Sequence, residues 1–268
     1  MEARGALERA GSGLPRGWGD FLQQIAVWIG FVLAYQVARG LADRSADDAL
    51  RNAERVIELE RKAIGLVELD IQRTAIETGE ALVQAANWTY WLSQFVVVSA
   101  ALLWVYLRRN DAYLPLRNTL IVANTIGLVG YVLLPTAPPR MFPSLGFLDT
   151  LAGSAALNHG SGVVELASNQ YAAMPSLHAA DALIVGVALA LVVRNPLARA
   201  ACLLFPVWVW FSLIATANHF WLDVVAGILL ATVGAAITIG WSKPRGRLTR
   251  HRDRATAGAR PPARGAAA

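Results

Sequence analysis

The run FWLDVVAGILLATVGAAITIGW, Phe220 to Trp241, decides the fold class. It matches the roughly 20 apolar residues that a membrane-crossing helix needs, and its one charge, Asp223, sits near its start. Five further runs read the same way, at about 21–40, 90–107, 118–135, 177–193 and 198–217. Composition agrees. The chain is 55% hydrophobic and 16% charged, where a soluble domain carries roughly 25% charge; its mean hydropathy is +0.42. The expected architecture is therefore all-α, a polytopic membrane helix bundle of about six transmembrane helices. A membrane domain over 21–241 lies between an N-terminal tail, 1–20, and a basic tail, 242–268. The first run is the most interrupted, by Gln23, Gln24, Gln36 and Arg39. Its long polar leader and the lack of a small-x-small cleavage site favour a retained helix over a signal peptide.

The placement of charge sets the expected orientation. The net charge of +5 is not read as nucleic-acid binding, because basic residues cluster at particular turns. Arg108, Arg109 and Arg117 follow the second run, Arg194 and Arg199 follow the fourth, and six basic residues from Lys243 to Arg254 follow the last. The positive-inside rule puts these turns and both termini in the cytoplasm. The long loop at about 136–176, with Arg140 alone, and the turn at 217–219 then face outward. A multi-pass protein of a bacterial plasma membrane, with outward-facing chemistry, is the expectation.

Three other segments read separately. Residues 46–86 are charged and helix-friendly, with Ile57, Ile64 and Ile71 spaced by seven. An outer amphipathic helix on the membrane surface or packed over the spans fits; a solvated helical linker is the plain alternative. The tail, rich in Arg, Pro, Gly and Ala, reads as disordered and attracted to anionic lipid. The triplet NWT at 87–89 matches a glycosylation acceptor but abuts a span, and reads as chance. The single cysteine, Cys202, excludes an intramolecular disulfide and a cysteine-based metal site.

The outer loop begins PTAPPRMF, 135–142, and ends NQYAAMPSLH, 169–178, so prolines stiffen both ends. Pro175 suits the first position of a helix. Ser176 and His178 then fall in its first turn, where free N–H groups and the helix dipole favour an anion. Taken alone this is a serine cap with a histidine at the water interface. The stretch ATANHFWLDVVAG, 215–227, opens the last span on the same face. His219 and Asp223 are four apart and are expected on one helix face. A carboxylate this far inside a membrane helix is expensive and usually functional. His219 is thus a candidate nucleophile or base oriented by Asp223. The plain alternative is a structural hydrogen bond between helices. Asp181, three after His178, could face it or simply suit a helix N-terminus. His159 reads as a surface residue and His251 lies in the tail.

These motifs resemble the type 2 phosphatidic acid phosphatase superfamily, in the branch that includes fungal inositol phosphorylceramide synthase and its bacterial relatives. PSLH at 175–178 resembles the second motif, HFWLD at 219–223 the third, and PTAPPR at 135–140 the branch's proline-rich element. The resemblance spans about residues 50–240. It implies attack on phosphorus by His219, orientation by Asp223, protonation of the leaving oxygen by His178, and phosphate contacts from Ser176 and backbone N–H groups. No metal or other cofactor is implied. The phosphatases' first motif is absent, and Leu213 stands where their third motif has an arginine. Arg140 is the arginine left in the outer loop and is expected to contact phosphate; its plain role is an anchor at the headgroup layer. The missing arginine points to the synthase-like branch.

The expected function is phosphoryl or phospho-headgroup transfer from a phospholipid or other lipid phosphoester to an alcohol such as inositol. A lipid phosphatase using water as acceptor is the close alternative. A metal-dependent hydrolase built on His178, His219 and Asp223, or a transporter lined by buried polar groups, are alternatives from other classes.

Overall fold

The structure, a computed structural model, describes residues 13–42, 46–152 and 171–242. Most of both expected tails, together with His159 and His251, lies outside the described residues. The elements are α1 (Gly17–Ala42), α2 (Ala46–Ala63), α3 (Val67–Thr78), α4 (Glu80–Leu92), a π-turn (Ser93–Val97), α5 (Val98–Arg108), α6 (Asn110–Leu133), α7 (Leu177–Val192), α8 (Pro196–Ala215) and α9 (Trp221–Ser242). No strand occurs among the described residues, only a single bridge, Thr136 to Ala172, which stitches together the two ends of the outer loop. The all-α membrane bundle expected from the apolar runs is what forms.

Among the described residues, five segments are long and apolar enough to cross a membrane: Gly17–Val37, Glu80–Arg108, Asn110–Leu133, Pro196–Ala215 and Trp221–Trp241. The sixth, α7, has 16 residues, short of the roughly 20 that span a bilayer core. Two starts differ from the sequence reading. The second span begins at Glu80, not near 90, because α4, the π-turn and α5 run on as one rod. The third begins at Asn110 and carries Pro115 in its second turn. Asn87 is buried within α4, where its amide donates to the Thr150 carbonyl and accepts from the Thr150 hydroxyl. The NWT triplet is therefore not available for glycosylation in the folded protein.

Core packing is tightest between the helices that carry the motifs. Gly227 of α9 lies so close to α7 that a Cβ there would sit 2.3 Å from the Ser176 carbonyl oxygen. Lacking that atom, the helices approach until the Ser176 N–H donates to the Asp223 carbonyl at 3.0 Å. Helix α1 behaves differently: Leu22, Ile29, Val32, Leu33 and Val37 stay exposed, as lipid-facing side chains should. Its start is tied down by the Tyr106 hydroxyl donating to Asp20 at 2.9 Å and by Arg117 donating to Gln24 at 2.6 Å. Arg109 donates to the Val192 carbonyl at 2.6 Å. The start of α1 and the basic turns after α5 and α7 thus share one end of the bundle, opposite the motifs.

The segment expected as one amphipathic helix is two. Gly65, at φ +87, breaks it after Ala63, a conformation that glycine adopts without penalty. The break ends the seven-residue spacing: Ile57 is buried but Ile64 is exposed. Both helices pack over the motif-bearing end rather than forming a solvated linker. Ala49, Ala53, Val56, Ile57 and Glu60 of α2, with Glu68, Gln72 and Ala75 of α3, face inward. Asn52 donates to the Pro135 carbonyl, and Gln72 bonds Leu148 and Ala215, so this pair also fixes the outer loop.

Candidate active site

The turn between α8 and α9 delivers the central histidine. Ala217 takes φ 52, in the left-handed region that residues with a Cβ seldom adopt. The amides of Asn218 and His219 then donate back to the Leu213 carbonyl at 3.1 and 3.2 Å. His219 therefore stands in the turn, two residues ahead of α9, and not on the helix face that the spacing suggests. Asp223, in the first turn of α9, reaches back to it. Its Oδ2 accepts from the Phe220 N–H at 2.8 Å and lies 3.5 Å from His219 Nδ1. His219 Nδ1 also lies 3.0 Å from the Ala173 carbonyl, while Nε2 faces Ser176 Oγ at 3.3 Å.

Ser176 is the N-cap of α7, its Oγ accepting from the Ala179 N–H at 3.2 Å. Capping and proximity to His219 are thus one arrangement, because the residue that starts α7 is the one pressed against α9. Pro175 precedes the cap and does not occupy the first helical position. The open anion site expected at this helix start is largely taken: Ser176 N–H bonds Asp223, Leu177 N–H bonds the Tyr131 hydroxyl, and Ala179 N–H bonds Ser176. His178 stacks on Tyr90, ring centroids 4.6 Å apart, and its ring centre is 5.8 Å from that of His219.

Arg140 arrives from the short turn Pro139–Met141. Its N–H donates to the Ala217 carbonyl at 2.9 Å, and its Nη1 to Asn218 Oδ1 at 2.8 Å. The Asp149 carboxylate lies 3.9 Å away, and burial draws the guanidinium below its ordinary pKa. Arg140, His178, Asn218 and His219 line one cavity of about 30 Å³. The structure therefore gathers Arg140, Ser176, His178, His219 and Asp223 at one end of the bundle. Asp181 is bonded elsewhere than to His178: it accepts from Asn124 at 2.6 Å and from Gln94 at 3.3 Å. Leu213 is wholly buried in an apolar cluster with Ala179, Ala182, Val209 and Val224. Among the described residues no three His, Cys, Asp or Glu side chains are grouped to hold a metal.

Sequence reasoning missed four participants. Asn218 and Tyr90 hold Arg140 and His178. Glu68 Oε1 accepts from the Trp221 N–H at 2.8 Å, and Glu60 Oε1 from the Leu222 N–H at 3.0 Å. The available signal was positional: Ala49, Ala53, Val56 and Glu60 fall on one helix face, so Glu60 extends an apolar stripe.

A second, larger cavity of about 590 Å³ lies between α1 and the helices α5 and α6. It is mostly apolar, and Tyr35, Gln94, Phe95 and Leu177 line both it and the histidine cavity.

Comparison with known proteins gives a family match. The family model described as the PAP2 superfamily matches residues 54–237, a range that contains every site residue above. No curated protein matches the chain. Among solved structures, the crystal structure of Aquifex aeolicus LpxE is similar at a TM-score of 0.48 and 17% identity, covering 64% of this chain and 94% of that one.

Proposed function

Because this chain belongs to the PAP2 superfamily, the family its motifs resemble, we propose that it is a membrane enzyme that cleaves a lipid phosphoester by phosphoryl transfer to His219. One observation carries this reading. His219 Nδ1 faces two acceptors, the Ala173 carbonyl and Asp223, so the ring proton belongs on Nδ1 and Nε2 keeps its lone pair. That nitrogen is the one turned toward Ser176. In the first step the Nε2–P bond forms, the P–O bond to the lipid breaks, and His178 gives its proton to the leaving oxygen. In the second, an acceptor O–H gives its proton to His178, its oxygen attacks phosphorus, and the P–N bond breaks. Arg140 and Ser176 hold the non-bridging oxygens as charge builds on them. The apolar cavity beside α1 supports a lipid as substrate, since it opens onto the same side chains as the histidine cavity.

For the acceptor we favour an alcohol such as inositol, in phospho-headgroup transfer from a lipid phosphodiester. Among the described residues, Arg140 is the one guanidinium or ammonium lining the histidine cavity. A diester has one negative charge to neutralise, whereas a monoester at neutral pH has nearly two. Water is the second reading, a lipid phosphatase, and the cavity size favours it: about 30 Å³ is room for one water. The basic turns at the opposite end of the bundle support an outward-facing site in a bacterial plasma membrane, with both termini cytoplasmic.

The test is to incubate purified protein with labelled lipid phosphodiesters and monoesters, with and without inositol, in EDTA. Mass spectrometry should find a new phosphodiester only when the alcohol is present. Free phosphate from a monoester without alcohol would establish the water reading instead. Neither product from any lipid would reject the proposed chemistry. In the same assay Arg140→Ala should raise KM by about 10- to 100-fold, the worth of a charge-assisted hydrogen bond. An unchanged KM would return Arg140 to a loop anchor.

A further inference from the structure

Three consecutive backbone N–H groups at the start of α9 are each held by a carboxylate. Phe220 donates to Asp223, Trp221 to Glu68 and Leu222 to Glu60. The carboxylates come from three helices, α9, α3 and α2. All three are wholly buried, and among the described residues the second oxygen of each has no N–H or O–H donor. Glu60 and Glu68 accept from consecutive N–H groups, so the two buried carboxylates lie side by side. Two carboxylates buried side by side cannot both ionise, so the pair keeps one proton.

We propose that Glu60 and Glu68 form a proton-sharing pair that clamps the start of α9 and so positions His219 and Asp223. The link to catalysis rests on the function proposed above; the shared proton does not. The clamp acts two and three residues beyond His219, at Trp221 and Leu222. If the Trp221 and Leu222 amides lost their acceptors, the turn carrying His219 would be free to shift relative to Ser176 and Arg140. Among the described residues, the titratable groups facing the pair are each other and Asp223, with His219 behind it. Burial pushes Glu60 up to about 9, with the Glu68 and Asp223 carboxylates adding to the shift, and burial raises Glu68 as well.

A pH signature follows. The unfolded chain releases the Glu60 proton near 4.5, and the folded protein keeps it up to about 9. Stability from this proton is therefore fully present below the lower value and lost as pH rises toward the upper one.

The experiment compares Glu60→Gln and Glu60→Ala with the parent protein in detergent. Gln keeps an oxygen for the Leu222 N–H and supplies an N–H to Glu68, so it mimics the protonated partner. Its kcat should stay within a few-fold of the parent's, while its melting temperature should fall less steeply with rising pH. Ala removes the acceptor, and kcat should fall on the order of 100-fold at unchanged KM, the cost of a small misplacement. A Gln variant with the parent's pH slope overturns the shared proton. A folded Ala variant with the parent's kcat overturns the positioning role. If Glu60→Ala does not fold, Glu60→Asp, shorter by one methylene, replaces it under the same two outcomes. A parent that processes no lipid phosphoester defeats the proposed function, yet the melting comparison still decides the pair.

Discussion

Replacing His219 with alanine should abolish turnover, with kcat down by about 10⁴-fold or more, as expected when the attacking group itself is removed. The folded protein should survive. His219 is buried, but its polar contacts are few: Ala173 and Asp223 at Nδ1, and Ser176 at Nε2. Losing the Ala173 hydrogen bond costs about 1 kcal/mol, small beside the packing of Phe220, which follows it and is fully buried against Phe147. The variant should therefore insert and purify like the parent. A second readout separates nucleophile from general base. Brief incubation of the parent with phosphorus-labelled lipid, followed by alkaline denaturation, should leave label on the protein, and His219→Ala should leave none. Label in the alanine variant, or parental turnover by it, would assign the attack elsewhere.

Much of the bundle was legible because a membrane span is a local property. Twenty apolar residues declare themselves without reference to any partner, and the six runs all became helices. The two motifs were legible for a related reason: polar residues at the mouths of apolar helices have few other uses. Boundaries were less so. Nothing in the composition of 80–90 distinguishes a helix continuing into the span from a linker, and the buried bonds from Asn87 to Thr150 lie 63 residues apart in sequence. Least legible was what holds the site. Arg140 meets Asn218 across 78 residues, and Glu60 meets Leu222 across 162. In α2 the buried Glu60 sits two positions from Glu58, which is exposed and paired with Lys62. Composition treats those glutamates alike; only the stripe running through Ala49, Ala53 and Val56 separates them. Leu213 shows the same limit from the other side. Its position matched a phosphate-binding arginine in the resembled family, but here it fills an apolar cluster, and Arg140 reaches the cavity from a different loop.

Asp223→Asn should divide the two tasks that this carboxylate performs. Its Oδ2 caps the Phe220 N–H at 2.8 Å and faces His219 Nδ1 at 3.5 Å. An asparagine oxygen can keep the cap, so the folded protein should lose little stability. The negative charge is lost, and with it the compensation for the positive imidazole that forms once phosphorus is bound. The Ala173 carbonyl, at 3.0 Å, still holds the Nδ1 proton, so the reactive tautomer persists. The expected outcome is a fall in kcat on the order of 10²- to 10³-fold, the size of one lost electrostatic contact to a developing charge. Asp223→Ala should lower kcat at least as far and, by removing the cap, also destabilise the fold by about 1 kcal/mol. Kinetics and melting temperature measured on both variants resolve the two roles. If Asp223→Asn keeps most of the parent's kcat while Asp223→Ala loses stability, the Ala173 carbonyl suffices to orient His219, and Asp223 is a cap alone.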